Sequence, residues 1–347
     1  MTEEISKPAA PAGEIYDDRP YVVNAADLPE EIRSPLKPFK GEKPPAPQWF
    51  RDAIAQEPER RFVTSAGARI ELLTWGEIGK PGLLLVHGNS AHADWWSFIA
   101  PFLATEYRVA AMTLAGMGPS DWRDSYAPWV FAEDAEACAQ AAGLYADGRA
   151  PVYIGHSFGA AQVFHVAVNF PEQLRAAIFI DCGFGPVPSV LEERAQRTTE
   201  ERLALTRQRP TQVYPTLEAA LARFRLAPPQ PCENLYIVDH IARRSLKRAP
   251  LADGSGEGWT WCFDPNIWAK LDFSRTVPHG QPVSSFQTPM IHFLGEHSQV
   301  MERRQAGDSR PPAGLTEIMI PDSHHHVMID QPLALVAALR TALTLWA

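Results

Sequence analysis

Three short stretches carry residue types that could together do nucleophilic chemistry. The first is Gly155-His156-Ser157-Phe158-Gly159, directly after the apolar run Val152-Tyr153-Ile154. A serine with glycine two residues away on each side, set between a strand and a helix, is the pattern of a nucleophile elbow. The requirement is steric. A turn that lifts the serine Oγ to the carboxyl end of a sheet leaves no room for bulk at Gly155 or Gly159, and Ala160 and Ala161 let the next helix pack closely. The helix N-terminus also aims N–H donors at developing negative charge. The second stretch is His87-Gly88-Asn89, straight after Leu85-Val86. Attack on a carbonyl creates an oxyanion that needs two preorganised N–H donors; the backbones of Asn89 and Phe158 are the candidates. The third is the triplet His324-His325-His326, after Thr316–Ile320. Such a triplet suggests metal binding, but three consecutive side chains cannot all point at one ion. A histidine late in the chain, after the serine, suits a general base, and at this point any of the three could supply it. Alone, a Gly-x-Ser-x-Gly match arises by chance and His87-Gly88 reads as a plain strand-end turn. Their order, each after an apolar run, gives the set meaning.

To act together these residues need a sheet that brings its carboxyl ends to one edge. Arg61–Thr64 and Arg69–Trp75 read as two strands around the turn Ser65-Ala66-Gly67-Ala68. Leu83–Val86, Arg108–Thr113, Val152–Gly155, Ala177–Ile180 and Met290–Leu294 are short continuous apolar runs, as expected of strands covered on both faces. Helical patterns lie among them at Ser97–Ala104, Phe131–Tyr145, Ser157–Asn169 and Pro332–Leu345. Strands alternating with helices of this length predict βαβ crossovers and a mostly parallel sheet. Residues 187–280 break the alternation with helical patterns at Leu191–Thr206, Leu217–Leu226 and Asn234–Leu246. They read as a helical insertion between two sheet strands. Residues 1–48 hold nine prolines and little periodic apolar pattern, which predicts an extended arm with a disordered start, anchored by a short helix opening at Trp49-Phe50. The expected layout is thus an arm over 1–48, a core over 49–186 and 281–347, and a cap over 187–280.

With 45% hydrophobic and 21% charged residues, the chain can bury a sizeable core. A net charge of −9 argues against a nucleic-acid or anionic-membrane surface, which would need a basic excess. Cys138, Cys182, Cys232 and Cys262 are scattered without a Cys-x-x-Cys pair, so neither a disulfide framework nor a zinc site is expected. The first residues lack a signal-peptide apolar run, and no stretch approaches the roughly 18 apolar residues of a membrane span. The expectation is a cytoplasmic protein acting on a small molecule without metal or cofactor, with room for a homo-oligomer.

Two further stretches complete a resemblance. Gly116-Met117-Gly118-Pro119-Ser120-Asp121 is similar to the "GxGxSD" turn of the α/β-hydrolase superfamily, and His325 stands five residues before Asp330-Gln331-Pro332, as the family's base does before its "acid, Gln-Pro" ending. Over roughly residues 60–347 the chain resembles that superfamily. The resemblance implies an eight-stranded, mostly parallel sheet with a helical cap after the sixth strand, His325 as the base, and Asp330 as the acid opening the final helix. One departure stands out. Where the family places its catalytic acid as Gly-x-x-Asp, this chain has Gly295-Glu296-His297-Ser298. The acid is then expected at Asp181, ending the preceding strand as in some family members, with Glu296 as the rival and a bare Ser–His dyad also open. Trp95, Trp96 and His156 are the expected substrate contacts, whereas most cap aromatics read as the cap's own small core. The implied activity is serine hydrolysis of a carboxylic ester with an apolar or aromatic group. The alternatives are a carbon–carbon bond hydrolase of aromatic ring-fission products and a non-enzymatic ligand-binding member of the fold.

Overall fold

Five strands supply the rigid frame, and their residue types explain why. β3 (Gly82–Val86), β4 (Arg108–Met112), β5 (Val152–His156), β6 (Ala176–Ile180) and β9 (Met290–Gly295) are buried along their whole length. The computed structural model describes residues 27–184, 198, 200–201, 211–272, 281–307 and 309–346. Those five join β1 (Glu59–Ser65), β2 (Ala68–Trp75) and β10 (Thr316–Ile320) in an eight-stranded sheet of order β1-β2-β4-β3-β5-β6-β9-β10. The β1–β2 and β2–β4 pairs are antiparallel and the rest parallel. Because side chains alternate between faces, Leu83, Leu85, Ile154, Ile178 and Phe293 meet on one side of the sheet. Leu84, Val86, Tyr153, Ala177 and Phe179 meet on the other, under the helices Pro128–Ala141 and Phe158–Asn169.

The strand order fixes where chemistry can happen. From β3 the chain passes to β4 on one side and then returns to β5 on the other, so β3 and β5 flank the point where the order reverses. Crevices at the carboxyl ends of strands form at such points. With Val86 paired to Gly155, the segments leaving β3 and β5, His87-Gly88 and His156-Ser157, emerge side by side.

Between β6 and β9 lies the insertion. Its described part holds the helices Leu217–Leu221, Leu235–Arg244 and Ile267–Lys270. It also holds an antiparallel pair, β7 (Leu246–Pro250) with β8 (Glu257–Trp261), so the all-helical expectation for this segment needs correcting. The cause is visible in β8, where Gly258 and Thr260 are buried while Trp259 and Trp261 are only half covered. A short ribbon of that kind lacks the continuous apolar run that marks a core strand. The Leu191–Thr206 helical pattern and both expected cap boundaries fall almost wholly outside the described residues, as do residues 1–26 of the arm.

The N-terminal segment, the sheet and the insertion share one apolar layer. Ile237, Val238 and Ile241 line one face of helix Leu235–Arg244 at helical spacing and are fully buried. Each such side chain is worth about 1.5–3 kcal/mol. Leu36 of the N-terminal segment and Phe50 of the helix that follows it join the same cluster. In the helix Gln48–Ile54, Phe50 packs on Phe98 of the core and on Tyr236 and His240 of the cap, at 5.9, 4.9 and 5.5 Å between ring centroids. The Arg243 guanidinium donates to the Gly41 carbonyl at 2.6 Å. No described helix is long and apolar enough to cross a membrane, and all four cysteines are free thiols.

Candidate active site

At the end of β5 the backbone turns sharply. Ser157 sits at φ 51°, ψ −116°, a region that non-glycine residues avoid and that costs on the order of 1–3 kcal/mol. The turn is held because the Ser157 N–H donates to the Ile180 carbonyl at 3.0 Å. It also needs Gly159, since a Cβ there would lie 2.3 Å from the His87 carbonyl oxygen. As a result the Ser157 side chain points out of the sheet edge and is only partly buried.

The histidine loop follows β10. His325 Nε2 lies 2.9 Å from Ser157 Oγ, and its Nδ1 lies 2.6 Å from Asp181 Oδ2. Asp181 is fully buried at the tip of β6 with φ 47°, a conformation Asp tolerates better than most residues. Its Oδ1 accepts from the Gly295 N–H at 3.0 Å, and its Oδ2 accepts from the Ser298 hydroxyl at 2.5 Å. Glu296 is exposed and turned elsewhere, accepting from the Asp322 N–H at 3.1 Å. Thus Asp181, not Glu296, stands against His325. Ser298, in the position where a family acid was expected, reaches the same carboxylate from the neighbouring strand. It also caps the helix Gln299–Gln305 by accepting from the Val300 N–H. Sequence reasoning missed that second role.

Gly88 borders the nucleophile: a Cβ there would lie 3.4 Å from the Ser157 Cβ. His87 secures this turn. Its Nε2 accepts from the Leu114 N–H at 3.0 Å and its Nδ1 donates to the Gly88 carbonyl at 2.7 Å, and burial depresses its pKa to about 3. The imidazole is therefore a neutral strut between β3 and β4. Phe158 is the first residue of its helix, so its N–H has no partner within the helix. Together with the Asn89 N–H in the turn beside Ser157, it could meet an oxyanion.

The other expected contacts divide. Trp96 is fully enclosed in the core and offers a substrate no surface, which corrects its reading as a site wall. The cause is its place in the 3-10 turn Ala93–Trp96 beneath the sheet's apolar layer. His156 is also buried, and its Nε2 donates to the His325 carbonyl at 2.9 Å, so it braces the base's backbone instead of lining an open wall. Trp95 is nearly buried, with its ring 5.4 Å from that of His326. Half-buried Trp268 of the cap packs edge-on against Phe158 at 5.5 Å, nearer the nucleophile than its sequence position suggested.

Asp330 does not open the final helix. It ends the short helix Val327–Asp330, and its carboxylate accepts from the His324 N–H at 2.8 Å and from Gln230 of the cap at 2.9 Å. Burial, foremost, raises its pKa. Gln230 in turn accepts from the His326 N–H at 2.8 Å, so this cap residue and Asp330 together fix the histidine loop. The Gly116–Asp121 turn is likewise structural: the Ser120 hydroxyl donates to the Thr113 carbonyl and Asp121 pairs with Arg69.

A family model described as "Alpha/beta hydrolase family" matches residues 83–339. The chain belongs to that family. Among curated relatives of this α/β hydrolase, lipase LipV of Mycobacterium tuberculosis is 38% identical over 108 residues, 31% of this chain and 39% of the lipase. The chain thus matches well under half of that relative's length. Esterase Rv0045c of the same organism is 25% identical over 290 residues, 80% of this chain and 87% of the esterase. Its solved structure, from work on its inhibition by transition metals, superposes with TM-score 0.56 at 19% identity, covering 92% and 99% of the two chains. A thioesterase domain from the curacin biosynthetic pathway gives TM-score 0.59 at 20% identity over 81% of this chain and 98% of its own. Both superpositions show likeness of fold.

Proposed function

We propose that this α/β hydrolase cleaves carboxylic esters through an acyl-enzyme on Ser157. The observation that carries the reading is the continuous chain from the buried Asp181 carboxylate through His325 to Ser157 Oγ, at 2.6 and 2.9 Å. His325 Nε2 takes the serine proton as Oγ attacks the carbonyl carbon, then gives that proton to the leaving alcohol. Asp181 holds the Nδ1–H tautomer and stabilises the imidazolium. The Asn89 and Phe158 N–H groups receive the oxyanion, where a single such donor is worth roughly 10²–10³ in kcat. Water then attacks the acyl carbon while His325 takes its proton; the bond to Ser157 Oγ breaks, the proton passes to Oγ and the carboxylic acid leaves. Support at family level comes from the names of the relatives, an esterase and a lipase. The aromatic Trp268 beside Phe158 favours an apolar or aromatic group on the ester. The contact of Asp181 with His325, despite serine at 298, supports hydrolysis over the non-enzymatic alternative.

The test is labelling by a fluorophosphonate, together with turnover of nitrophenyl esters of graded chain length and of a ring-fission dienoate. Wild type should label and Ser157→Ala should not, with ester turnover lost by several powers of ten in that variant. Ester turnover within about tenfold of wild type in Ser157→Ala would overturn the assignment. Preference for the dienoate over every ester would move the reading to carbon–carbon cleavage.

A further inference from the structure

Two buried imidazoles beside the Ser157–His325 pair have ring nitrogens that nothing in the proposed hydrolysis uses. His326 is 3% exposed, and neither of its ring nitrogens makes a hydrogen bond of ordinary geometry with any described residue, although the Pro228 carbonyl lies near. His156 is 1% exposed. Because its Nε2 donates to the His325 carbonyl, its Nδ1 carries the lone pair, and that atom has no partner among the described residues. Gly88 lies against this nitrogen, and a Cβ there would stand 2.9 Å from it. An unpartnered buried polar atom costs about 1–3 kcal/mol, and such costs call for a physical reason.

The third imidazole is His325. With Nδ1 directed at Asp181, its lone pair is on Nε2. The three rings lie 5.0, 5.5 and 4.9 Å apart between centroids, and each offers one ring nitrogen within 4.8 Å of the others. Bonds of about 2 Å to one ion set nitrogen separations of roughly 3–4 Å, so shifts on the order of 1 Å close the set. Three consecutive histidines cannot converge on one ion; here two of them meet a third brought by the elbow. An all-imidazole set suits borderline ions such as Zn²⁺ and Cu²⁺ and not oxygen-seeking Mg²⁺ or Ca²⁺. By contrast, the cluster Glu296, His297 and Asp322 is exposed, and nothing buried is left unpaired there.

We propose that His156, His325 and His326 form a site for a divalent transition-metal ion, Zn²⁺ or Cu²⁺, whose occupation silences Ser157 by engaging the Nε2 lone pair of His325. The silencing rests on the reading of His325 as the base; the seat of the ion does not. The ion acts as a reversible inhibitor, competing with the serine proton for one lone pair.

The experiment titrates the full chain with Zn²⁺, reading binding by competition with a chromophoric chelator and, separately, ester turnover. One equivalent should bind, turnover should fall in step and return on adding EDTA, and Mg²⁺ should do neither. Ser157→Ala should still bind Zn²⁺. A chain that binds the ion but never turns over ester therefore refutes the ester reading and not the site. His326→Phe fills the same space without ligand atoms. It should weaken Zn²⁺ binding by at least about 100-fold, since even outer partners of metal ligands are worth 10–100-fold. Its metal-free turnover should stay within about threefold of wild type, a difference under 1 kcal/mol. His326→Gln serves if the Phe variant does not fold. Absence of 1:1 binding in wild type, or Zn²⁺ affinity unchanged in the folded His326 variant, overturns the site.

Discussion

The carboxylate that faces His325 is shared between two strand tips. Asp181 comes from β6, but the hydroxyl donating to its Oδ2 and the N–H donating to its Oδ1 belong to Ser298 and Gly295, at and beyond the end of β9. Removing the charge while keeping the size separates these contributions. Asp181→Asn should lower ester kcat by roughly 10³–10⁴, because the imidazole loses both its tautomer and its counter-charge. Ser298→Ala should cost about tenfold, within the worth of one hydrogen bond to a charged group. Glu296→Gln should leave kcat within about twofold, well under 1 kcal/mol. Steady-state kinetics on one nitrophenyl ester decides all three, and a large loss in Glu296→Gln would move the acid role to that residue.

At the scale of elements, much was legible and the failures have reasons. β3, β4, β5, β6 and β9 announce themselves as continuous apolar runs because both faces are covered. The elbow is readable because Gly155 and Gly159 flank Ser157 at a spacing few other structures require. The acid was harder to place from sequence, since the tips of β6 and β9 are neighbours and either can reach the histidine loop. The β7–β8 ribbon escaped because it is short and half covered, although the turn residues Gly254-Ser255-Gly256 lay between its strands. Trp96 misled because adjacency to the oxyanion turn in sequence says nothing about which way a 3-10 turn points its side chains. The arm's anchor helix carries a direct test. Phe50 is 3% exposed among Phe98, Tyr236 and His240, so Phe50→Ala should destabilise the protein by about 3–5 kcal/mol. Denaturant titration reads this, and a loss below 1 kcal/mol would mean the helix is not held there.

Across the whole molecule, buried histidines set how stability responds to acid. Burial, foremost, depresses His87, His156 and His240 to about 3 and His92 to about 4, against an ordinary 6.5. In the unfolded chain these groups take up protons near pH 6.5, while the folded chain refuses them until pH 4 or below. Between those values the unfolded state binds more protons, so stability rises with pH. Their contribution is whole above about pH 6.5 and drains as the pH falls toward 4, by roughly 1.4 kcal/mol per unit for each group. Glu317, held near 2 against desolvation by His292 and Arg304, acts in a lower window, below 4.5. The melting temperature should therefore be nearly level at pH 7–8 and fall steeply from pH 6.5 to 4.5. A level profile through that interval would show that these imidazoles are not held neutral.

Two of those histidines sit where the cap meets the core. His240 donates to the Ser97 hydroxyl, His92 bonds Ser245, and Asp94 of the core pairs with both Arg60 and Arg244. Gln230 and Asn234 tie the cap to the histidine loop, and Phe50 and Gly41 tie it to the arm. The described part of the insertion is fastened at so many points that it should have no separate melting point of its own. Loosening it exposes the apolar layer it shares with the sheet, so arm, cap and core should come apart in one cooperative step. Tryptophan fluorescence, far-ultraviolet dichroism and loss of turnover should then trace a single coincident transition. Amides in helix Leu235–Arg244 should exchange with solvent only as fast as the whole molecule opens.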